Sequence, residues 1–193
     1  MPFHTAAGFA AWEHRDARAG FEVFFPGPAG DGVCVRGTTA AVEAGEAWTV
    51  EYVIDLASDG TTRCARVTGR SKDGRRELRL DADGAGHWQI DGSAAPELAG
   101  CLDVDLESSA FTNALPVHRL GLEVGQAAHA PAAYVRAVDL SVERLEQRYV
   151  RLDDDGPRQR YHYSAPRFAC QSVLVYGEDG LVVDYPGIAV RAG

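Results

Sequence analysis

The sequence predicts a mainly β protein, built as one strongly curved antiparallel sheet with little helix. Short stretches of alternating apolar and polar residues recur through most of the 193 residues, and this period of two is typical of strands with one buried face. Asp-Gly pairs follow many of these stretches, as at Asp59-Gly60 and Asp73-Gly74, and glycine supplies the positive φ that tight hairpin turns require. We expect about a dozen strands, and a sheet of that length tends to curl because its twist accumulates.

The first half is predicted to be a meander of short strands divided by turns. Pro26-Gly27-Pro28 is interpreted as one of these turns, and Phe9 and Trp12 as residues that pack at an edge of the sheet. The predicted strands are Phe21–Phe25, Val33–Glu43, Trp48–Leu56, Thr62–Arg70, Arg75–Leu80 and His87–Ile90.

The chain is interpreted as a single domain, residues 1–193, that contains two pseudo-repeats. Gly20-Phe21-Glu22-Val23 recurs as Gly121-Leu122-Glu123-Val124, and Tyr52-Val53 before Asp59-Gly60 is echoed by Tyr149-Val150 before Asp155-Gly156. The separation stays near about 100 residues, as an ancient duplication with small deletions would produce. The repeats are placed at about 12–92 and 120–187. Residues 93–119, called the joint below, connect them and have no counterpart elsewhere.

A curled sheet of this size encloses a lumen unless large side chains fill it. Only 9% of the residues are aromatic, so a partly unfilled interior with a pocket is compatible with the sequence but not required by it, and an interior filled by side chains is the alternative. The aromatic residues predicted to point inward are Trp48, Tyr52, Trp88, Tyr134, Tyr149, Tyr161, Tyr163, Phe168 and Tyr176.

The joint carries the most concentrated group of polar residues between apolar positions. Leu102, Val104 and Leu106 alternate with Asp103, Asp105 and Glu107, which predicts a strand with one apolar and one acidic face. The following residues are interpreted as a bend, because Asn and Pro favour turns and Pro interrupts regular elements. The predicted ligand-binding residues are Asp103, Asp105, Thr112, Asn113, His118 and Arg119.

Each of these residues has a structural alternative. Asp103 and Asp105 could split their pKa values and act as acid and base, or they could be the solvated face of a strand. His118 beside Arg119 could be a general base next to an anion clamp, or a hydrogen-bonded structural residue. The spacing of these residues does not demand a metal ion, and none is predicted.

The sequence favours a binding protein over an enzyme. It contains no G-x-S-x-G, H-E-x-x-H or Walker A motif, so no catalytic residue and no cofactor is predicted. The net charge of −9 argues against nucleic-acid partners, whose phosphates require neutralisation. The four cysteines form no C-x-x-C pair and are interpreted as reduced thiols. The N-terminus lacks a secretory pattern, and no apolar run reaches the roughly 18 residues that a membrane span needs. We therefore expect a cytoplasmic protein without membrane insertion.

The motif of the joint resembles the family of uncharacterised bacterial proteins described as putative glycolipid-binding. The resemblance covers roughly Trp12 to Arg191, and it is strongest at Leu98–Leu106 and Phe111–Leu120, which resemble a DvDl strand followed by a TNtLPiRRL motif. Supporting matches are Trp88 with Asp91-Gly92, Gln147 with Tyr149, and Gly180-Leu181-Val182 leading to Asp184-Tyr185-Pro186-Gly187.

What this resemblance implies is a spiral β-roll, similar in shape to the carriers that ferry lipoproteins in bacteria. The glycolipid label of the family comes from that similarity, and fold does not establish function. Two positions depart from the family pattern. His118 stands where the motif usually has Arg, which leaves Arg119 alone in any anion clamp, and Asp59-Gly60 stands where a Trp is expected.

The leading hypothesis is a soluble binding protein for a lipid, glycolipid or other amphipathic small molecule held inside the β-roll. One alternative is a hydrolase that uses His118 with Asp103 or Asp105. A second alternative is a purely structural joint, in which Arg119 forms an ion pair with a carboxylate and no ligand binds.

Overall fold

The structure, a computed structural model, describes residues 8–193. In that range the helical segments are one α-helix, α1 (Ala114–Leu120), and 3₁₀ turns at Pro96–Leu98, Phe111–Asn113 and Pro166–Phe168. The strands are β1 (Ala10–His14), β2 (Ala19–Ala29), β3 (Gly32–Glu43), β4 (Glu46–Leu56), β5 (Thr62–Ser71), β6 (Gly74–Ala82), β7 (Trp88–Ile90), β8 (Ser93–Ala94), β9 (Asp103–Leu106), β10 (Ala127–His129), β11 (Ala132–Val135), β12 (Val142–Leu145), β13 (Arg148–Asp155), β14 (Arg158–Ala165), β15 (Cys170–Tyr176), β16 (Val182–Tyr185) and β17 (Ala189–Arg191).

Fourteen of the described strands form one sheet in the order β10-β13-β14-β15-β16-β17-β1-β2-β3-β4-β5-β6-β7-β8. Strand β1 lies in its interior, where Trp12 pairs with Arg191 of β17 on one side and with Glu22 of β2 on the other. The first and last strands thus join the two halves into one antiparallel sheet. The predicted mainly β fold with a large antiparallel sheet is confirmed.

The sheet wraps around the joint. Side chains from β2 and β4, in the first half, contact the joint at Ser109, and side chains from β13 and β15, in the second half, contact it at Asn113. Strands this far apart in the order can touch one short segment only if the sheet is strongly curved. The centre of the curved sheet is filled by joint residues, among them Phe111 and Leu115, which are both 0% exposed.

A second, three-stranded sheet covers the open side, with β11 parallel to β9 and antiparallel to β12. All four residues of β9 are buried. The strand predicted in the joint is present, but its acidic face does not meet solvent, because β9 crosses the inside of the large sheet. Its backbone is tied to β5, where Thr62 N donates to Leu102 O at 3.0 Å and Val104 N donates to Thr62 Oγ1 at 3.1 Å.

The bend predicted after β9 is wrong, since this segment forms the 3₁₀ turn Phe111–Asn113 followed directly by α1. Pro116 is compatible with the helix because it lies in the first turn, where a backbone N–H has no intrahelical acceptor. The helix ends at Gly121, which adopts a left-handed φ of 54° and donates its N–H to Val117 O.

Two other local predictions are wrong. Pro26-Gly27-Pro28 continues β2 and pairs with Val33–Val35 of β3. The prolines are tolerated because the described pairing of β1 with β2 ends at Phe24, so within residues 8–193 no strand pairs with this side of β2. Trp12 is not at an edge of the sheet but is 0% exposed, and its Nε1 donates to Val182 O at 2.7 Å.

The Asp-Gly hairpins are confirmed, and each glycine that ends the Asp59, Asp73, Asp83 and Asp91 turns has a positive φ. The duplication stays a prediction. Asp59-Gly60 joins β4 to β5 and Asp155-Gly156 lies at the β13–β14 hairpin, in agreement with the proposed repeat. In contrast, Gly20-Phe21-Glu22-Val23 lies in β2, whereas Gly121-Leu122-Glu123-Val124 lies outside the strands, between α1 and β10.

Candidate functional site

Glu22 of β2 attaches the joint to the first half of the sheet. Its carboxylate is 0% exposed and accepts hydrogen bonds from the hydroxyl of Tyr52 at 2.6 Å, from the hydroxyl of Ser109, and from the backbone N–H of Ala110 at 2.7 Å. Burial raises the pKa of Glu22 to about 7, although these hydrogen bonds act in the opposite direction. No motif marks Glu22, and sequence reasoning missed it.

Asp103 and Arg119 form a buried ion pair that connects β9 to α1. Arg119 Nε donates to one carboxylate oxygen at 3.0 Å and Nη2 donates to the other at 2.5 Å. The side chain of Arg119 is 13% exposed and that of Asp103 is 2% exposed. Burial alone would lower the pKa of Arg119, but the hydrogen bonds and charge of Asp103 raise it. The guanidinium and the carboxylate therefore satisfy one another, which is the ion pair proposed in the structural alternative.

Asp105 lies two residues further along β9 and has different partners. Its carboxylate accepts hydrogen bonds from Thr112 Oγ1 at 2.8 Å and from the side-chain amide of Gln147. Burial raises the pKa of Asp105 to about 6, against the effect of both hydrogen bonds. Asp105 is thus a carboxyl group that can change protonation near neutral pH.

Asn113, the last residue of the 3₁₀ turn before α1, is held by tyrosines of the second half of the sheet. Tyr149 donates its hydroxyl proton to Asn113 Oδ1 at 3.3 Å, and Tyr176 donates to the backbone carbonyl of Asn113 at 3.0 Å. Asn113 and Thr112 are both buried. They serve as hydrogen-bonding points between the joint and the surrounding sheet.

His118 and Arg119 lie at the C-terminal end of the joint, in α1. His118 Nε2 is 3.0 Å from the carbonyl oxygen of Gly180. The two residues line a cavity of about 410 Å³ together with Asp31, Gly32, Val33, Leu56, Ala57, Ser58, Asp59 and Gly60. The six predicted site residues share one contiguous segment, but the structure does not bring them to a single cavity.

A second cavity of about 430 Å³ opens beside Asp105, and we call it the tyrosine cavity. It lies between the small sheet, which includes β9, and the concave face of β14 to β16. Its lining residues are Arg18, Asp105, Leu106, Glu107, Ser109, Asn113, Tyr134, Arg136, Leu145, Tyr163, Phe168, Cys170, Tyr185 and Ile188. The sequence left open whether the curled sheet encloses a pocket, and this cavity lies beside the joint.

Aromatic rings form one wall of the tyrosine cavity. Tyr134 and Phe168 have ring centroids 5.4 Å apart, and the guanidinium of Arg136 lies 5.3 Å and 5.1 Å from these two centroids. Tyr163 and Tyr185 pack edge to face with centroids 6.0 Å apart. Phe168 is 39% exposed and stands at the mouth, whereas the other inward aromatics predicted from the sequence are buried.

Burial raises the pKa values of Tyr163 and Tyr185 well above their usual range. Their hydroxyl groups therefore keep their protons at neutral pH and can donate hydrogen bonds. Tyr134 and Tyr163 could be named from the sequence as inward aromatics. Arg18 and Arg136 were not predicted as site residues, and Tyr185 was noted only as part of the Asp184–Gly187 motif, because only the folded sheet brings these residues together.

Two further observations bear on chemistry. Among residues 8–193, no group of three or more His, Cys, Asp or Glu side chains is arranged to hold a metal ion. In the same range, no helix combines the length and the apolar character needed to cross a membrane.

Comparison with known proteins places this fold and joint in a family. The model of the family described as "Putative glycolipid-binding" matches residues 9–191, which include both half-sheets and the whole joint. The chain belongs to this family. The resemblance inferred from the DVDL strand and the segment around Pro116 is therefore confirmed.

A solved structure of 36% identity agrees with this relationship. A DUF1089 family protein from Pseudomonas aeruginosa is 36% identical, with a TM-score of 0.78 over 89% of this chain and 92% of that one. A beta-barrel-like protein of the domain of unknown function DUF1849 from Brucella abortus is a remote likeness, 10% identical with a TM-score of 0.48, over 95% of this chain and 92% of that one. No curated protein matches the chain.

Proposed function

We propose that this protein binds a small amphipathic molecule, of the chemical class of a sugar-bearing lipid, in the tyrosine cavity. The observation that carries this proposal is a cavity of about 430 Å³ in which apolar side chains surround convergent hydroxyl, carboxyl and guanidinium groups. Ligand pockets are usually of this size, mostly apolar, and provided with a few oriented polar groups.

The two kinds of lining suit the two parts of such a ligand. Tyrosine and phenylalanine rings present apolar faces beside polar tips, which matches a sugar ring with apolar C–H faces and hydroxyl edges. Leu106, Leu145 and Ile188 offer an apolar surface for an alkyl chain, and burial of a chain contributes about 0.8 kcal/mol per CH₂. These contacts can therefore hold the ligand without any covalent reaction.

The six residues predicted from the joint divide into two roles under this proposal. Asp105 and Asn113 line the tyrosine cavity and contact the ligand. Asp103 and Arg119 hold β9 to α1, Thr112 orients Asp105, and His118 fixes α1 to the loop at Gly180. The binding hypothesis thus applies to Asp105 and Asn113, and the alternative of a structural ion pair applies to Asp103 and Arg119.

Titration with octyl glucoside, measured by calorimetry, tests the proposal. Phe168→Ala removes an aromatic face at the mouth of the cavity and should weaken binding at least tenfold. Val173→Ala is the matched control, because Val173 is exposed on the side of β15 opposite to buried Leu174, and it should leave the affinity unchanged.

Native mass spectrometry of protein purified from cells, followed by lipid extraction, gives an independent readout. A bound amphiphile that is lost in Phe168→Ala supports the proposal. Absence of both octyl glucoside binding and any co-purifying amphiphile would overturn it.

The hydrolase alternative has weaker geometric support. It requires His118 to act with Asp103 or Asp105, yet Asp103 is bound on both oxygens by Arg119, and Asp105 lies in the wall of a different cavity from His118. A general base must reach its proton and its orienting partner within hydrogen-bond distance. The arrangement of these three groups therefore favours a binding protein.

A further inference from the structure

Arg18 is a buried cation in the wall of the tyrosine cavity. It lies in the connection between β1 and β2, directly before Ala19, and its side chain is only 5% exposed. A guanidinium withdrawn from water to this extent is costly unless a close anion or several acceptors compensate it.

The described residues compensate Arg18 only in part. Arg18 Nη1 donates to the backbone carbonyl of Glu107 at 3.0 Å. The carboxylate of Glu43 is 3.7 Å from Nε, beyond hydrogen-bond distance, and it is itself 34% exposed. Among residues 8–193 no acceptor satisfies the Nε–H group.

Arg136, the other arginine of this cavity, provides a direct comparison. It contacts Glu107 and Glu143, each at 3.1 Å, and its side chain is 32% exposed. The less exposed of the two guanidinium groups therefore has the poorer pairing. If Arg18 served only to stabilise the fold, we would expect a carboxylate within hydrogen-bond distance of its guanidinium, as Arg136 has.

Trp48 keeps the Arg18 guanidinium in place. The Arg18 Cζ atom lies 5.2 Å from the centroid of the Trp48 ring, which is the geometry of a cation–π contact. Trp48 is 2% exposed, and its indole Nε1–H also has no acceptor among the described residues. Arg18 Nε–H and Trp48 Nε1–H are thus two neighbouring buried donors without an acceptor among the described residues.

We propose that Arg18 recognises an anionic oxygen group, a carboxylate or phosphate, on the molecule that occupies the tyrosine cavity. A guanidinium with an N–H group that lacks an acceptor can bind such a group through a charge-assisted hydrogen bond. This inference rests on the proposed function, since it concerns the same cavity, and it narrows the ligand from an amphiphile to an acidic amphiphile.

The test compares octyl phosphate with octyl glucoside by calorimetry on the full chain. The unaltered protein should bind octyl phosphate at least tenfold more tightly, and Arg18→Gln should abolish this preference by weakening the binding of octyl phosphate at least tenfold more than that of octyl glucoside. Arg63→Gln is the matched control: it makes the same change in net charge, but Arg63 is paired with Asp31 on the exposed surface, so the preference should remain.

The possible failures are distinguishable. Equal affinity for the two amphiphiles, or a preference that survives Arg18→Gln, overturns the anion-recognition role and leaves the proposed function standing. Binding of neither amphiphile overturns both. The comparison on the unaltered protein needs no variant, so it remains decisive if Arg18→Gln does not fold.

Inorganic phosphate is the third probe, and it separates the two sources of an anionic oxygen. Binding much weaker than that of octyl phosphate identifies the anion as part of an amphiphile. Affinity equal to that of octyl phosphate would show that Arg18 recognises a free anion, and would overturn the assignment to an acidic amphiphile.

Discussion

Three buried carboxyl groups, those of Glu22, Asp103 and Asp105, determine how the joint sits inside the sheet. Each has a different partner set: hydroxyl and backbone N–H groups for Glu22, a guanidinium for Asp103, and a hydroxyl and an amide for Asp105. Only Asp103 faces a compensating charge. Burial raises the pKa values of all three carboxyl groups, and at Asp103 the Arg119 guanidinium acts in the opposite direction. Their protonation therefore affects stability.

Glu22 predicts an unusual dependence of stability on pH. Its pKa of about 7 in the folded protein exceeds the ordinary value of 4.5, so the folded state binds more protons between these values. The stabilising effect is fully present below about pH 4.5 and is lost as the pH rises through 7. Relative to Glu22→Gln, the wild type should lose about 3 kcal/mol between pH 4.5 and 8.

Urea denaturation across this pH range measures the difference between the two proteins. Subtracting the Glu22→Gln curve removes the contributions of Asp105 and of His14, whose pKa is lowered to about 4 by burial. Glu51→Gln, on the exposed side of β4, should follow the wild type. Parallel curves for Glu22→Gln and wild type would contradict the prediction.

At the scale of elements, the joint acts as an internal support rather than a linker. Strand β9 pairs with the small sheet and is tied to β5, and α1 ends against the loops at Gly60 and Gly180. The ion pair of Asp103 and Arg119 is the connection between these two elements of the joint. It fixes the angle at which the chain turns from β9 through the 3₁₀ turn into the helix.

Arg119→Ala should destabilise the protein by about 3–5 kcal/mol, because removal of one partner leaves the buried Asp103 carboxylate uncompensated. Urea denaturation gives the change, and Arg63→Ala, which breaks the exposed pair with Asp31, should have no measurable effect. Since Arg119 lies outside the tyrosine cavity, folded Arg119→Ala protein should bind octyl glucoside normally. A loss of binding without a loss of stability would assign Arg119 to the ligand instead.

At the scale of the whole molecule, the antiparallel pairing of β1 with β17 makes one sheet of two half-sheets. This closure lies in the middle of the strand order, and the edges are the short strands β8 and β10. Trp12 of β1 stabilises this pairing through the hydrogen bond from its indole N–H to the carbonyl oxygen of Val182 in β16. Both the tyrosine cavity and the joint depend on the two halves remaining together.

Native-state hydrogen exchange should therefore show the slowest amides in the central strands. The hydrogen-bonded amides of β1 and β17 should exchange only through global unfolding, while those of β8 and β10 exchange at lower free energies. The dependence of exchange on denaturant measures both. Early exchange at β1 and β17 would show that the half-sheets open as independent units.

The strand meander, its hairpin turns and the family were predictable because they depend on local patterns. Alternation around Trp48–Leu56 and glycines such as Gly60 and Gly74 specify strands and turns within a few residues of themselves. The importance of the segment from Asp103 to Arg119 was also visible, since its polar residues stand out from the alternating background. Its conformation was not predictable, because the sequence does not distinguish a proline in the first turn of a helix from a proline in a bend.

Tertiary structure alone decided which polar residues meet. Asp103 pairs with Arg119, Asp105 joins a cavity with Arg18 and Tyr185, and Glu22 caps the joint from more than 80 residues away. These contacts depend on how far the sheet curls and on the pairing of β1 with β17, which no local pattern encodes. The amino-acid order determined the strands and the polar segment they enclose, and long-range packing determined that this segment is a support beside a cavity, because burial and charge pairing are properties of the assembled sheet.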